Sequence, residues 1–211
     1  MILTSNKFAW LLIVLLLLHS NVVSAQESNF IKVQLPDRVS IDLPKSWIVV
    51  SDDITQLVET YVESSMKSEN YSYTKSNFMF MAQGEFPFAQ VIVRSDDGKT
   101  YSQSDIDRAS DVIIKSLNKG FYEGSVASYK PQNSRIIEWY GTGKVKINGR
   151  TCILYEFKRT SIKDPSKAIF VRNIVIYLEN RAVYLTLSYM ENDLAILYKQ
   201  IIDHVLHSIK A

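Results

Sequence analysis

Cysteine occurs once in these 211 residues, glycine seven times and proline five. The single thiol, Cys152, cannot close an internal disulfide, so stability must come from packing. Glycine and proline are scarce, and no repeat, low-complexity run or long linker interrupts residues 30–210. Charge of one sign is lacking too. The 24 basic residues face 22 acidic ones, a formal net charge of +2, so no whole-molecule field selects nucleic acid or an anionic membrane. Common catalytic signatures are missing: there is no Gly-rich phosphate loop, no G-x-S-x-G elbow and no H-E-x-x-H.

What the chain does have begins at its N-terminus. An uninterrupted apolar run of eleven residues occupies positions 8–18 behind Lys7, and His19-Ser20-Asn21 closes it. A helical span needs about 20 apolar residues, so this run falls short. Val23-Ser24-Ala25 then places small or branched residues before a cleavage point. A basic residue, a short apolar core and a small-residue end describe a secretory signal peptide over residues 1–25. Cleavage would remove Lys7 and no acid, leaving residues 26–211 nearly neutral. That length is one domain with a sufficient core. The expected location is periplasmic or extracellular, with no stable membrane span after cleavage.

Alternating Ile31, Val33, Leu35 and then Val39, Ile41, Leu43 predict two strands, with turns at Pro36-Asp37-Arg38 and Pro44-Lys45-Ser46. Trp47-Ile48-Val49-Val50 predicts a third. Ser51, Asp52 and Asp53 open a helix whose stripe runs from Ile54 to Met66. A hairpin follows over residues 78–82 and 89–93. Ser102-Gln103-Ser104-Asp105 is a capping-box pattern for a second helix, expected to end at Gly120. Residues 121–132 then read as a loop. Strands follow at 136–140, 144–147 and 151–159, the last two joined by Asn148-Gly149, a strong hairpin signal. Residues 168–178 are nearly all apolar, as in a central strand covered on both faces. After a strand at 182–189, a closing helix carries Leu194, Leu197, Ile201, Ile202, Val205 and Ile209 on one stripe. The expected fold is an α+β single-domain sandwich, a mainly antiparallel central sheet with helices on both faces.

Two stretches carry a family resemblance. "VSIDLPKSWIVVSDD" before a helix resembles the opening of the PsbP-like superfamily: a strand, a Pro, a Trp, a strand, then a helix. "RAVYLTLSYMENDLAILYKQIIDHVLHSIK" is similar to its closing aromatic-rich strand and amphipathic helix. That superfamily includes the lumenal photosystem extrinsic subunit, a Ran-binding protein and bacterial DcrB-type envelope proteins. The resemblance implies a fold, and a habit of binding or assisting other proteins. It implies no catalytic residue. Trp47 then reads as a structural peg, since Pro44 ends one strand and a large apolar ring opens the next.

The chemistry-bearing residues mostly have structural readings. Cys152 reads as a small buried hydrophobe on a strand. Asp105, Asp107 and Asp111 fall on a helix without the loop geometry of a calcium site. His204 and His207 on the closing helix have no evident third ligand and are expected to meet solvent. Lys144, Lys146 and Arg150 around the hairpin suit edge protection better than nucleic-acid contact. If Thr160 pairs with Ala168, Glu156 faces Arg172 in a half-buried ion pair, read as structural. Asn70-Tyr71-Ser72 is a glycosylation sequon, meaningful only in a eukaryote. Loop aromatics at Tyr71, Tyr73, Phe121 and Tyr122 are the expected partner-binding positions, because tyrosine offers contact area at low entropic cost. Folding back of these rings onto the sheet as anchors is the competing reading.

The expected function is an exported, non-enzymatic binding or accessory protein acting through protein–protein contacts. The partner would be an extracytoplasmic protein, with no cofactor, metal or nucleic acid. The alternatives are a small extracytoplasmic hydrolase or a carrier of an apolar ligand. Intact mass of chain recovered from the extracytoplasmic fraction should correspond to a start at Gln26. Full-length protein held in the membrane would instead establish an uncleaved anchor.

Overall fold

The computed structural model describes residues 29–35, 38–50, 60, 77–84, 89–96, 101–179, 181–192 and 194–211. The helix expected from Ser51 lies outside them, apart from Thr60, which is helical. Strands β1 (Phe30–Gln34) and β2 (Ser40–Pro44) pair antiparallel, with Phe30 opposite Pro44. The other strands form one antiparallel sheet in the order β3-β4-β5-β9-β8-β7-β6. They are β3 (Ile48–Val49), β4 (Asn77–Gln83), β5 (Ala89–Asp96), β6 (Ser134–Ile147), β7 (Arg150–Ser161), β8 (Ala168–Tyr177) and β9 (Ala182–Met190). Helices α1 (Gln103–Arg108), α2 (Asp111–Tyr129) and α3 (Ala195–Ser208) complete a mixed α/β fold among the described residues.

Burial on β8 has the two-sided form that its apolar run predicts. Ile174 and Ile176 join a cluster with Leu185 and Leu187 of β9, Val91 and Val93 of β5, Ile41 and Leu43 of β2, and Ile202 and Val205 of α3. Val175 and Tyr177, the alternate residues, join Ile106 of α1 and Ile153 of β7, with Leu117 and Phe121 of α2 packed against them. Successive strand side chains point to opposite faces, so one strand serves both clusters. Helix α3 is tied to β2 at its end: Ser40 and Lys210 exchange backbone hydrogen bonds of 2.8 and 2.9 Å, and the Asp42 amide donates to Ser208 Oγ. Asn148 and Gly149 hold the positive φ values, 48° and 85°, that a tight two-residue hairpin demands.

Three sequence expectations need correction. The capping box forms as expected, with Ser102 and Asp105 bonded reciprocally, but that helix stops at Arg108 and a new one starts at Asp111. Lys144 Nζ donates to the carbonyls of Asp107 and Ala109, so this lysine caps the end of α1. Gly120 does not end α2, which continues to Tyr129 and makes the expected loop at 121–132 helical. A glycine costs a helix only about 1 kcal/mol, which packing of the Leu117 and Phe121 side chains can offset. Finally, residues 134–147 form one strand instead of two.

A bulge lets that strand continue through Gly141. Trp139 pairs with Phe157 and Gly141 with Glu156, so Tyr140 has no position in the ladder; Ile137 is skipped in the same way. Gly141 adopts φ 105°, a backbone state reserved for glycine. The bulge changes the phase of the strand. Trp139 and Val145 are six residues apart and would share a face in a regular strand. Instead Trp139 bonds to Asn118 of α2 and Val145 packs on the cluster containing α3. Gly141→Ala should therefore lose about 1–3 kcal/mol of stability in urea denaturation. Gly143→Ala, with ordinary φ and open space at its Cβ position, should shift the midpoint little. Equal midpoints for the two variants would show that the positive φ is not required.

Candidate functional site

The bulge adds Tyr140 to a charged and aromatic surface assembled from four strands. One cross-strand row runs Glu138, Lys158, Phe170 and Tyr189 over β6, β7, β8 and β9. The next runs Gly141, Glu156, Arg172 and Leu187. The expected register holds: Thr160 lies opposite Ala168, and Glu156 opposite Arg172. Arg172 Nε donates to Glu156 Oε1 at 2.5 Å, and its Nη1 donates to Asp203 Oδ1 at 2.5 Å. Asp203 projects from α3, so the guanidinium ties that helix to the sheet. The Arg172 side chain is only 13 % exposed.

Beside it, Lys158 Nζ lies 3.1 Å from Glu191 and 3.6 Å from Glu138. The Tyr140 hydroxyl donates to Glu138 Oε2 at 2.7 Å, and its ring stands 5.9 Å from Phe170 and 5.8 Å from the Lys158 ammonium. Phe170 is in turn 5.3 Å from the Tyr189 ring. Bonds to Tyr140 and Glu191 raise the Lys158 pKa. Burial opposes the Arg172 charge, but bonds to Asp203 and Glu156 outweigh it and raise its pKa. Burial and the Glu138 bond raise that of Tyr140. All three shifts are upward, away from neutral pH.

The opposite side of β6 and β7 carries a second aromatic set. Phe121 of α2 stacks on Tyr155 at 4.4 Å with planes 9° apart, and Trp139 lies near-parallel to Phe157 at 5.6 Å. Tyr122 meets Trp139 edge-on at 5.4 Å and remains 43 % exposed. Trp139 Nε1 donates to Asn118 Oδ1 at 2.9 Å. Phe121 and Tyr122 thus belong to a helix rather than a loop, with Phe121 against the sheet and Tyr122 at its rim. Tyr71 and Tyr73 lie outside the described residues.

The remaining candidates separate. Cys152 is buried, and burial raises its thiol to about 11. Trp47 packs partly buried against the core, its ring close above Gly84, which suits a peg. Asp105 is occupied as a cap, and hydrogen bonds from Ser102 lower its pKa. His207 is exposed, but His204 is half-buried with its ring tilted 30° against that of Phe30 at 3.9 Å, contrary to the expectation that both meet solvent. Helix α3 turns His204 toward the β1–β2 hairpin, which sequence spacing alone does not reveal. Sequence reading also missed Lys158, although the register that pairs Glu156 with Arg172 places Lys158 opposite Phe170. Asp203 had no local signal.

No protein-family model matches the chain, and no curated protein matches its sequence. Among solved structures it is similar to cyanobacterial PsbP (CyanoP) from Synechocystis sp. PCC 6803, determined in solution. The TM-score is 0.57 at 11 % identity, over 87 % of this chain and 92 % of that one. The chain has a PsbP-like fold, in line with the resemblance of its two ends. At that identity the likeness concerns the fold alone.

Replacing Arg172 by Met leaves the Glu156 and Asp203 carboxylates facing one another without their cation. The expected cost is about 2 kcal/mol at pH 7, below that of a fully buried pair because Asp203 is partly exposed. The urea midpoint checks it: wild-type stability at pH 7 would contradict the geometry.

Proposed function

We propose that this protein is an exported, non-enzymatic accessory protein that acts by docking another extracytoplasmic protein at the β6 edge. The observation that carries this reading is the bulge at Tyr140-Gly141. It sets an exposed tyrosine, 46 % accessible, beside Glu138, with Ile137 also exposed next to it. Bulges at sheet edges commonly re-aim side chains for function, and tyrosine is enriched at protein contacts. Tyr122 reaches the same edge from α2 through its contact with Trp139. Of the expected partner positions, Tyr122 borders that edge from the other face of the sheet as an open ring, while Phe121 stacks on Tyr155 behind it. Tyr71 and Tyr73, outside the described residues, are proposed as separate partner-binding positions.

Support for export comes from the N-terminal run and cleavage pattern, and support for an accessory role from the PsbP-like fold. A sandwich with helices on both sides of the sheet is the layered form we favour, supported by the division of β8 side chains between two clusters. The Lys158 and Arg172 ion pairs would hold the surface rigid, while Glu138 and Tyr140 meet the partner.

Affinity capture from the extracytoplasmic fraction compares wild type with Glu138→Lys/Tyr140→Ala, Tyr122→Ala and Tyr71→Ala/Tyr73→Ala. A specific protein should be retained by wild type and lost from the first variant, with its urea midpoint unchanged. Retention of every partner by all three folded variants would overturn the placement. Turnover of a substrate by purified chain would overturn the non-enzymatic reading.

A further inference from the structure

A groove of about 370 Å³ lies on the opposite flank of α3 from Asp203, between that helix and the β1–β2 hairpin. Leu197, Gln200, Ile201 and His204 form its helix side at positions i, i+3, i+4 and i+7. Phe30 and Pro44, paired at the open end of the hairpin, form the other, and Lys45 stands in the turn that follows β2. The inner stripe of α3, Tyr198, Ile202, Val205 and Leu206, is already buried against the sheet. Ile201 packs partly against the core, whereas Leu197 on the same flank lies outside the single apolar stripe that a surface helix needs. Leu197 is 50 % exposed.

Charge in the groove is one-sided. Among the described residues that line it there is no carboxylate, and Lys45 is the one permanent charge. His204 presents its ring to Phe30, and its Nε2 is buried away from solvent, so Lys45 is the cation that a ligand can reach. Phe30 and Ile201 are half-buried and Pro44 is buried, which makes the apolar floor recessed rather than protruding. The volume falls in the usual small-ligand range, about 300–1,000 Å³.

We infer that this groove binds a single-chain anionic amphiphile of the fatty-acid class, its alkyl chain on Phe30, Pro44, Leu197 and Ile201 and its carboxylate at Lys45. The site is independent of the β6 edge, and neither reading depends on the other.

Calorimetric titration of the exported chain with dodecanoate below its micellar concentration tests the assignment. The expected result is one saturable site, weakened roughly fivefold or more by Lys45→Glu and abolished by Leu197→Asp. Both positions are exposed, and unchanged urea midpoints would show that the variants fold; Leu197→Ser is the milder substitute if the aspartate does not. Dodecyltrimethylammonium, with the same chain and the opposite charge, should bind more weakly. The inference is overturned by absence of saturable binding, by indifference to both substitutions, or by equal affinity for the cationic amphiphile. Binding to phosphatidylglycerol vesicles without binding to monomeric dodecanoate also overturns it, in favour of a membrane surface.

Discussion

Two-sided burial of β8 is the constraint on which the rest of this structure depends. Ile174 and Ile176 must enter one apolar cluster while Val175 and Tyr177 enter the other. A strand whose faces are both occupied resists a slip in register, because moving by one residue exchanges every contact. The same register places Arg172 opposite Glu156 on β7 and Leu187 on β9. Burial of apolar side chains therefore positions the charges. The charges in turn are tolerable there only because each is paired, since an unpaired ion at such a site costs several kcal/mol.

The candidate contact surface follows from that frame through one local irregularity. Between Trp139, which faces α2, and Val145, which faces the cluster containing α3, the strand must change phase. A glycine with positive φ makes the change, and the residue left over is Tyr140. Its ring then lies beside Lys158 and Phe170. Helix α3 contributes on both flanks, with Asp203 on one side closing the Arg172 pair and Leu197 and Ile201 on the other bordering a groove. Its inner stripe holds the helix in place, so the two flanks are free to differ in chemistry.

Legibility in the sequence followed the range of the interactions. Features within a few residues were readable: the capping box at Ser102, the hairpin at Asn148-Gly149, and the burial of Cys152. A pairing between adjacent strands was readable too, because one assumed contact sets every other pair in a hairpin. Glycine misled in two places. Gly120 resembled a helix end and residues 141–143 a gap between strands, yet packing carries the helix through the first and a bulge at Gly141 carries the strand through the second. In both, local preference amounts to about 1 kcal/mol, which tertiary contacts readily exceed.

The sequence by itself determined the placement of β7, β8 and β9, the two-faced strand, the register of β7 against β8, and the leader-like pattern at the N-terminus. Each rests on periodicity or spacing along the chain. Only the tertiary structure decided that Asp203 joins Arg172, that Glu138, Tyr140 and Glu191 gather around Lys158, and that His204 faces Phe30 instead of solvent. These contacts join elements far apart in the chain. Their geometry depends on where α3 settles and on where β6 changes phase, and both are set by packing against the sheet.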